Sequence, residues 1–320
     1  MKRWQGLQTL AIMACLAWLV GCTGDQAGDK AGGDAQGSDV TAKCLGEAEL
    51  EMVWIEGGRM TLGVDPKYPE EGPPRDVEVE GFWISATEVT NAQFAQFIEA
   101  TGYKTEAERN PPEIPGAPPE MLEPGSAVFR VPTTDNPSWW AWVPGAQWRN
   151  PSGPGSDIQG RENDPVVQVT YNDALAYAQW AGRTLPNEDQ WEFAARAGEA
   201  SMPVPVSDLG EARANYYQGV FPARDLGEDG FTSRAPVGCF EANAFGLYDM
   251  IGNVWEWTTS AARPGQPVSA QARYIIKGGS FLCAANYCAR YRPSARQFQE
   301  RDLGTDHIGF RVVDTVRRAP

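Results

Sequence analysis

From Asn110 to Pro165 the chain carries no apolar pattern of helical or strand period, and proline and glycine interrupt it throughout. A segment of this length without secondary structure of its own ordinarily argues against a compact domain. Four tryptophans inside it, Trp139, Trp140, Trp142 and Trp148, argue the other way. Rings of that size bury large apolar areas, so they are expected to pin loops onto a core where regular elements do not. The elements outside this stretch are short. Thr90-Asn91-Ala92-Gln93 reads as a capping-box start, with Phe94, Phe97 and Ile98 on one face and Gly102 as the stop. Asn172-Asp173-Ala174 opens a second helix that ends at Gly182. Asn187-Glu188-Asp189-Gln190 opens a third, with Trp191, Ala194 and Ala195 on one face and Gly198 after it. Strand-like pieces are 52–55, 77–79, 82–84, 274–276 and 309–313. No internal repeat and no second linker is visible. The expectation is one α+β domain, rich in loops and poor in regular structure.

The first residues read differently. Lys2 and Arg3 precede an uncharged apolar stretch, 10–20, which is too short to span a bilayer and has the length of a signal peptide's apolar region. Leu19-Val20-Gly21-Cys22 resembles a bacterial lipobox, which implies that residues 1–22 are a lipoprotein signal and that Cys22 is acylated. Thr23 stands where an Asp would favour inner-membrane retention, so the resemblance points to a lipid anchor in the cell envelope at the outer membrane. Residues 23–43 are dominated by Gly, Asp, Ala, Gln and Ser and read as a flexible linker. The folded domain is placed at 44–316.

Composition removes several function classes. The formal charge is −15, and without Lys2 and Arg3 it is −17, 25 basic against 42 acidic residues. Such a surface repels phosphate backbones, so no nucleic-acid partner is expected. His307 stands alone, which excludes zinc and iron sites built from several imidazoles. No phosphate-binding loop or dinucleotide fingerprint occurs, and nothing near His307 resembles a serine-hydrolase elbow. Acidic pairs such as Glu70-Glu71 and Glu228-Asp229 are common in so acidic a chain and by themselves do not indicate hydrolysis.

Of the six cysteines, Cys15 lies in the signal and Cys22 is the lipidation site. Cys44, Cys239, Cys283 and Cys288 remain, in an exported context that favours disulfides, and four cysteines allow three pairings. One reading joins Cys283 to Cys288 locally and Cys44 to Cys239 across the domain. The other leaves Cys283 and Cys288 as a working thiol pair. Arg290, Arg292 and Arg296 lie beside that pair, where they either match carboxylates structurally or steer an acidic peptide.

Several runs together carry a family resemblance. Lys277-Gly278-Gly279-Ser280-Phe281-Leu282-Cys283 is followed by Tyr287-Cys288-Ala289-Arg290-Tyr291-Arg292, Ala295-Arg296 and Gly309-Phe310-Arg311. Upstream stand Gly57-Gly58 with Met60 and Gly63, Thr87-Glu88-Val89-Thr90-Asn91, Pro165-Val166-Val167, Arg183-Thr184-Leu185-Pro186-Asn187-Glu188 and Gly252-Asn253-Val254-Trp255-Glu256-Trp257. From about Met52 to Val313 the chain resembles the formylglycine-generating enzymes, or sulfatase-modifying factors. The resemblance implies a single loop-rich domain of that kind, related to C-type lectins. It also implies copper-dependent, O2-using oxidation of a cysteine to Cα-formylglycine. The substrate would be a Cys-x-Pro/Ala-x-Arg motif in a sulfatase-like polypeptide, with an external thiol as reductant.

By the same resemblance Cys283 and Cys288 bind one copper(I), a soft ion suited to two thiolates. Ser280 takes the place of the active-site serine, and Trp255, Tyr287 and Arg290 surround the substrate pocket. Two calcium sites are implied. One uses the side chains of Asn215 and Asp229 with the carbonyls of Tyr216 and Phe231. The other uses the side chains of Asp249 and Glu256 with the carbonyls of Gly252 and Val254. Oxygen ligands supplied by loops suit calcium. Ala284-Ala285 and Pro293 depart from common enzyme sequences around the cysteines. The competing readings are a non-catalytic envelope module for binding or assembly, and a related oxidase that matures another secreted peptide.

Overall fold

The computed structural model describes residues 44–46, 50–112, 115–198, 204–206, 210–263, 265 and 272–316; the expected signal, Cys22 and the linker lie outside them. The strands are β1 (Met52–Ile55), β2 (Gly58–Leu62), β3 (Arg75–Val79), β4 (Phe82–Ser85), β5 (Gly125–Phe129) and β6 (Trp140–Pro144), then β7 (Gly219–Val220), β8 (Arg224–Asp225), β9 (Trp255–Ala261), β10 (Arg273–Lys277), β11 (Gln297–Glu300), β12 (Ile308–Gly309) and β13 (Val313–Asp314). The helices are α1 (Asn91–Thr101), α2 (Tyr171–Trp180) and α3 (Glu188–Arg196). One sheet has the order β1-β4-β13 and another β11-β10-β9-β12; β2–β3, β5–β6 and β7–β8 are hairpins. This is the mixed α+β fold, mostly loops and small sheets, that the sequence implied. Among the described residues no helix is long and apolar enough to cross a membrane.

The helix starts follow from their caps. Thr90 accepts from the Gln93 amide at 3.3 Å, and the Gln93 side chain returns to the Thr90 amide at 3.0 Å. Gly102 ends α1 at φ 66°. Asn187 and Gln190 repeat the exchange at α3. The second helix begins earlier than expected. Thr170 and Asp173 form its capping box, so Asn172 lies inside the first turn and Tyr171 is already helical. The box is threonine-led, with an Asp in the place usually taken by Glu or Gln.

Two sets of strands were not expected. The long stretch 110–165 contains the β5–β6 hairpin, in register from Gly125 opposite Pro144 to Phe129 opposite Trp140. The seven-residue β9 was also not expected. Trp255, Glu256, Trp257 and Thr258 are all buried, so β9 shows no inside–outside alternation from which a strand could be read. The tryptophans of the stretch are not equivalent. Trp148 is 1% exposed and packs with Phe94 of α1, whereas Trp140 is 38% exposed.

α1 and α2 pack Phe94, Phe97 and Tyr177 with Phe310, Trp255, Trp257 and Cys283 in one apolar cluster. α3 packs Trp191 and Phe193 with Ile55, Phe82, Ile84 and Val313 in a second. A disulfide joins Cys44 to Cys239 across 195 residues of chain. The end of β10 leads directly to the cysteine pair. Gly279 there has φ 77°, and a Cβ on it would lie 2.8 Å from the backbone of Arg290 and Tyr291. A side chain at 279 would therefore push apart the two segments that carry Cys283 and Cys288.

Candidate active site

Cys283 and Cys288 are free thiols, and their sulfurs lie 3.7 Å apart. The structure thus takes the thiol-pair reading and not the local disulfide. A compact turn presents them. The Cys283 amide donates to the Ser280 carbonyl at 2.8 Å, and the Cys288 amide donates to the Ala284 carbonyl at 3.0 Å. Cys283 is buried with the core, 2% exposed, and Cys288 is half-buried. Arg290 donates through Nη1 to Cys288 Sγ at 3.5 Å and forms an ion pair with Glu70.

The two sulfurs are electrostatically unequal. The hydrogen bond from Cys283 lowers the Cys288 thiol to about 6; burial opposes this and Arg290 reinforces it. The same shared bond, with burial, pushes Cys283 well above the ordinary thiol range. At neutral pH the pair is one thiolate and one thiol. Alkylation of the reduced, metal-free protein is therefore expected to label Cys288 with a half-point near pH 6, rising as pH rises, and to leave Cys283 unlabelled at pH 8. Peptide mapping after iodoacetamide treatment measures both; equal labelling of the two would contradict it.

The other expected site residues divide. Tyr287 is 55% exposed beside the pair, with its ring 4.7 Å from Trp139 and stacked at 4.9 Å on Phe221. These three rings form an apolar wall to which the β5–β6 and β7–β8 hairpins contribute. Ser280 is fully buried, and its Oγ accepts from the Leu282 amide at 3.3 Å. Trp255 is 1% exposed and presents almost no surface to a peptide. Arg290, Arg292 and Arg296 pair with Glu70, Glu71 and Glu188, which is the structural alternative for that basic cluster. His307 is buried beside Thr305 Oγ1, and burial drives its imidazolium down to about 3, so it is neutral.

Trp139 was legible only as a loop anchor, and Phe221, Tyr68 and Glu70 were missed as neighbours of the thiols. No local pattern ties Glu70 to a residue 220 positions away.

The two implied calcium sets differ: Asp229 lies against Tyr216 and Phe231, whereas both carboxylate oxygens of Glu256 are already held by Arg311. Asp229 accepts from the amides of Tyr216 at 3.1 Å and Phe231 at 2.9 Å. Asn253 links the sets, accepting from Asn215 Nδ2 at 3.1 Å and donating its own amide to the Asn215 carbonyl at 2.8 Å. A Cβ on Gly252 would lie 2.2 Å from that carbonyl, so only glycine fits there. Asp249 Oδ2 accepts from the Gly238 amide at 2.7 Å, while Asp249 Oδ1 and Glu88 Oε2 are buried without a hydrogen-bond donor. Orphaned buried carboxylate oxygens fit a cation. Among the described residues no group of three or more His, Cys, Asp or Glu side chains gathers as a metal site, so a cation here would depend on carbonyl oxygens as well.

Residues 39–316 match the sulfatase-modifying factor enzyme 1-like domain. The chain belongs to that family. A formylglycine-generating enzyme of Mycobacterium tuberculosis is 46% identical to this family member over 290 residues, 82% of this chain and 97% of the relative. A mouse protein named inactive C-alpha-formylglycine-generating enzyme 2 is 38% identical over 284 residues, 86% of this chain and 89% of the relative. Among solved structures, PvdO from Pseudomonas aeruginosa superposes with a TM-score of 0.56 at 25% identity, covering 82% of this chain and 93% of that one. Family membership therefore fixes the fold, while names within the family divide between active and inactive proteins.

Proposed function

We propose that this protein oxidises a cysteine in a Cys-x-Pro/Ala-x-Arg segment of a sulfatase-like polypeptide to Cα-formylglycine, using O2, a thiol reductant and copper(I) held by Cys283 and Cys288. The observation that carries the reading is the pair of free sulfurs 3.7 Å apart, one in the core and one beside an exposed aromatic wall. The overall reaction balances as peptide thiol, O2 and two reductant thiols giving peptide aldehyde, hydrogen sulfide, water and a disulfide.

Two soft donors side by side fit copper(I) better than a hard cation. Bound there, copper(I) would supply one-electron redox chemistry and a soft attachment point for the substrate sulfur. The remaining work falls to the chain. Cys288 meets the metal already deprotonated, so binding releases one proton less than for two thiols. Cys283 keeps its sulfur out of water. Tyr287, Trp139 and Phe221 offer an apolar face to a peptide residue next to the reacting cysteine. In the same reading calcium occupies the Asn215/Tyr216/Asp229/Phe231 and Asp249/Gly252/Val254/Glu256 sets, and Cys22 carries a lipid that holds the domain at the envelope, on its outer membrane.

A second reading rests on the mouse relative named inactive, which shares 38% identity: a non-catalytic envelope module built on the same fold. One experiment separates them. Reduced, copper-loaded protein is incubated with a Cys-x-Pro-x-Arg peptide under O2 and followed by mass spectrometry. Conversion of the peptide thiol to an aldehyde is expected. Copper(I) binding with every such peptide unchanged would end the oxidase reading and leave the module.

A further inference from the structure

Thiols five residues apart in a tight turn are prone to close. From 3.7 Å the sulfurs need approach by only roughly 1.7 Å to reach disulfide bonding distance. Cys283 is fixed in the core, so the outcome depends on what restrains Cys288. The segment that follows Cys288 is fastened at three successive points to the loop 65–71, which joins β2 to β3. The Ala289 amide donates to Tyr68 Oη at 3.3 Å. Arg290 pairs with Glu70 and lies 3.9 Å from the Tyr68 ring centre, from where it donates to Cys288 Sγ. Arg292 donates to both carboxylate oxygens of Glu71, at 2.6 and 2.8 Å, and to the Asp65 carbonyl at 3.1 Å. Glu71, 1% exposed, also accepts from the Lys67 amide at 2.7 Å, so the loop is closed around the carboxylate that grips Arg292.

We infer that the loop 65–71 is a clamp that positions Cys288 away from closure with Cys283, and that Glu70, acting through Arg290, is its working contact at the sulfur. The inference deepens the proposed function, resting on its reading of the pair as a working dithiol, but its test does not need turnover. Arg290 stabilises the reduced pair through a charged hydrogen bond to sulfur, an interaction the less basic disulfide sulfur loses. Glu70 holds Arg290 in place for it, and Glu71 with Arg292 anchors the segment more rigidly but further from the sulfur. Glu70 is therefore a positioning residue, and the redox equilibrium of the pair is the quantity it controls.

The reaction that reads this is exchange with glutathione disulfide. The Cys283 thiol and the Cys288 thiolate give up two electrons and one proton, and an Sγ–Sγ bond forms. The glutathione disulfide takes up the two electrons with that proton and one from solvent to give two glutathiones. Purified protein is equilibrated at a series of glutathione ratios, quenched, and the Cys283–Cys288 bridge quantified by peptide mapping, separately from Cys44–Cys239. Glu70→Gln is expected to shift the equilibrium about tenfold toward the disulfide, about 30 mV lower in reduction potential. Tyr68→Phe, which keeps the ring under Arg290 but removes the acceptor for Ala289, should shift it severalfold in the same direction. Glu300→Gln, which breaks the remote Arg273–Glu300 ion pair, should not shift it. A clamp that served stability alone would lower the thermal midpoint and leave the potential unmoved. An unmoved potential in folded Glu70→Gln and Tyr68→Phe, or a shift toward the dithiol, would overturn the inference. Inactive protein whose potential shifts as expected would sink the oxidase and keep the clamp.

Discussion

Serine in place of Cys288 is expected to reduce formylglycine formation by on the order of a thousandfold or more, and serine in place of Cys283 by as much. The hydroxyl is nearly the same size but is neither ionised at neutral pH nor soft. Cys288→Ser removes the thiolate that the shared hydrogen bond and Arg290 create. Cys283→Ser removes the sulfur on the core side, and it also buries a hydroxyl at a position 2% exposed, which costs about 1–3 kcal/mol unless it keeps a partner. Cys283→Ala separates these effects: it restores the apolar surface and should be equally inactive. Two groups that work as one unit are not additive, so the double variant should be no slower than either single one. Initial rates on a Cys-x-Pro-x-Arg peptide, with circular dichroism as a fold check, decide the matter. A folded single variant that keeps a tenth of the wild-type rate would mean that the sulfur pair is not the reacting centre.

Much of the fold was legible because its signals are local. The capping boxes at Thr90 and Asn187 and the stop at Gly102 each lie within four residues, and each was placed correctly from sequence. β9 was missed for the opposite reason. Its burial on both faces comes from α3 on one side and the α1–α2 cluster on the other, and neither can be seen in Trp255-Glu256-Trp257. The cysteine pair was found through its motif, yet spacing in an exported chain favoured a local bridge, which the free thiols overturn. The clamp places that choice in the contacts of Glu70 and Glu71, read from sequence only as an acidic pair that does not by itself indicate hydrolysis, with Arg290 and Arg292. Ser280 and Trp255 are placed by neighbours that residue-by-residue transfer does not show. Both stand in the expected motif, but the structure gives one a turn hydrogen bond and the other a place in the core.

The largest stability effect is expected at Arg311, which is fully buried. Its guanidinium grips Glu256 at 2.7 and 2.8 Å, and it donates to the carbonyls of Ser85, Ala86 and Tyr248 at 3.2, 3.3 and 2.9 Å. Trp191 Nε1 supplies Glu256 with a further donor at 2.7 Å. Around this one cation stand three buried acids, Glu256, Glu88 and Asp249. Burial raises Glu88 well above the carboxylate range and Asp249 to about 6. Arg311→Met fills similar space but leaves Glu256 with Trp191 and no cation and takes a donor from the Ser85 and Tyr248 carbonyls, while Ala86 keeps the Tyr248 amide, a loss of about 3–5 kcal/mol. Urea unfolding should show it as a lower midpoint at unchanged slope. Arg311→Lys keeps the charge without the two-pronged grip and should fall between.

The pH dependence of Arg311→Met follows from the direction of the carboxyl shifts. A carboxyl whose pKa is higher folded than unfolded binds its proton more tightly in the fold, so it favours the fold below the unfolded value, ~3.9 for Asp, and loses that contribution as pH rises through the folded one. Arg311→Met, with Asp249 and Glu88 no longer offset by a cation, should therefore regain stability on acidification from pH 7 to pH 5, and calcium added at pH 7 should substitute in part for the missing charge. Stability of Arg311→Met that is independent of both pH and calcium would show that the acids are neutralised by something other than Arg311 and a bound cation, and would remove the physical basis for a calcium ion at Asp249 and Glu256.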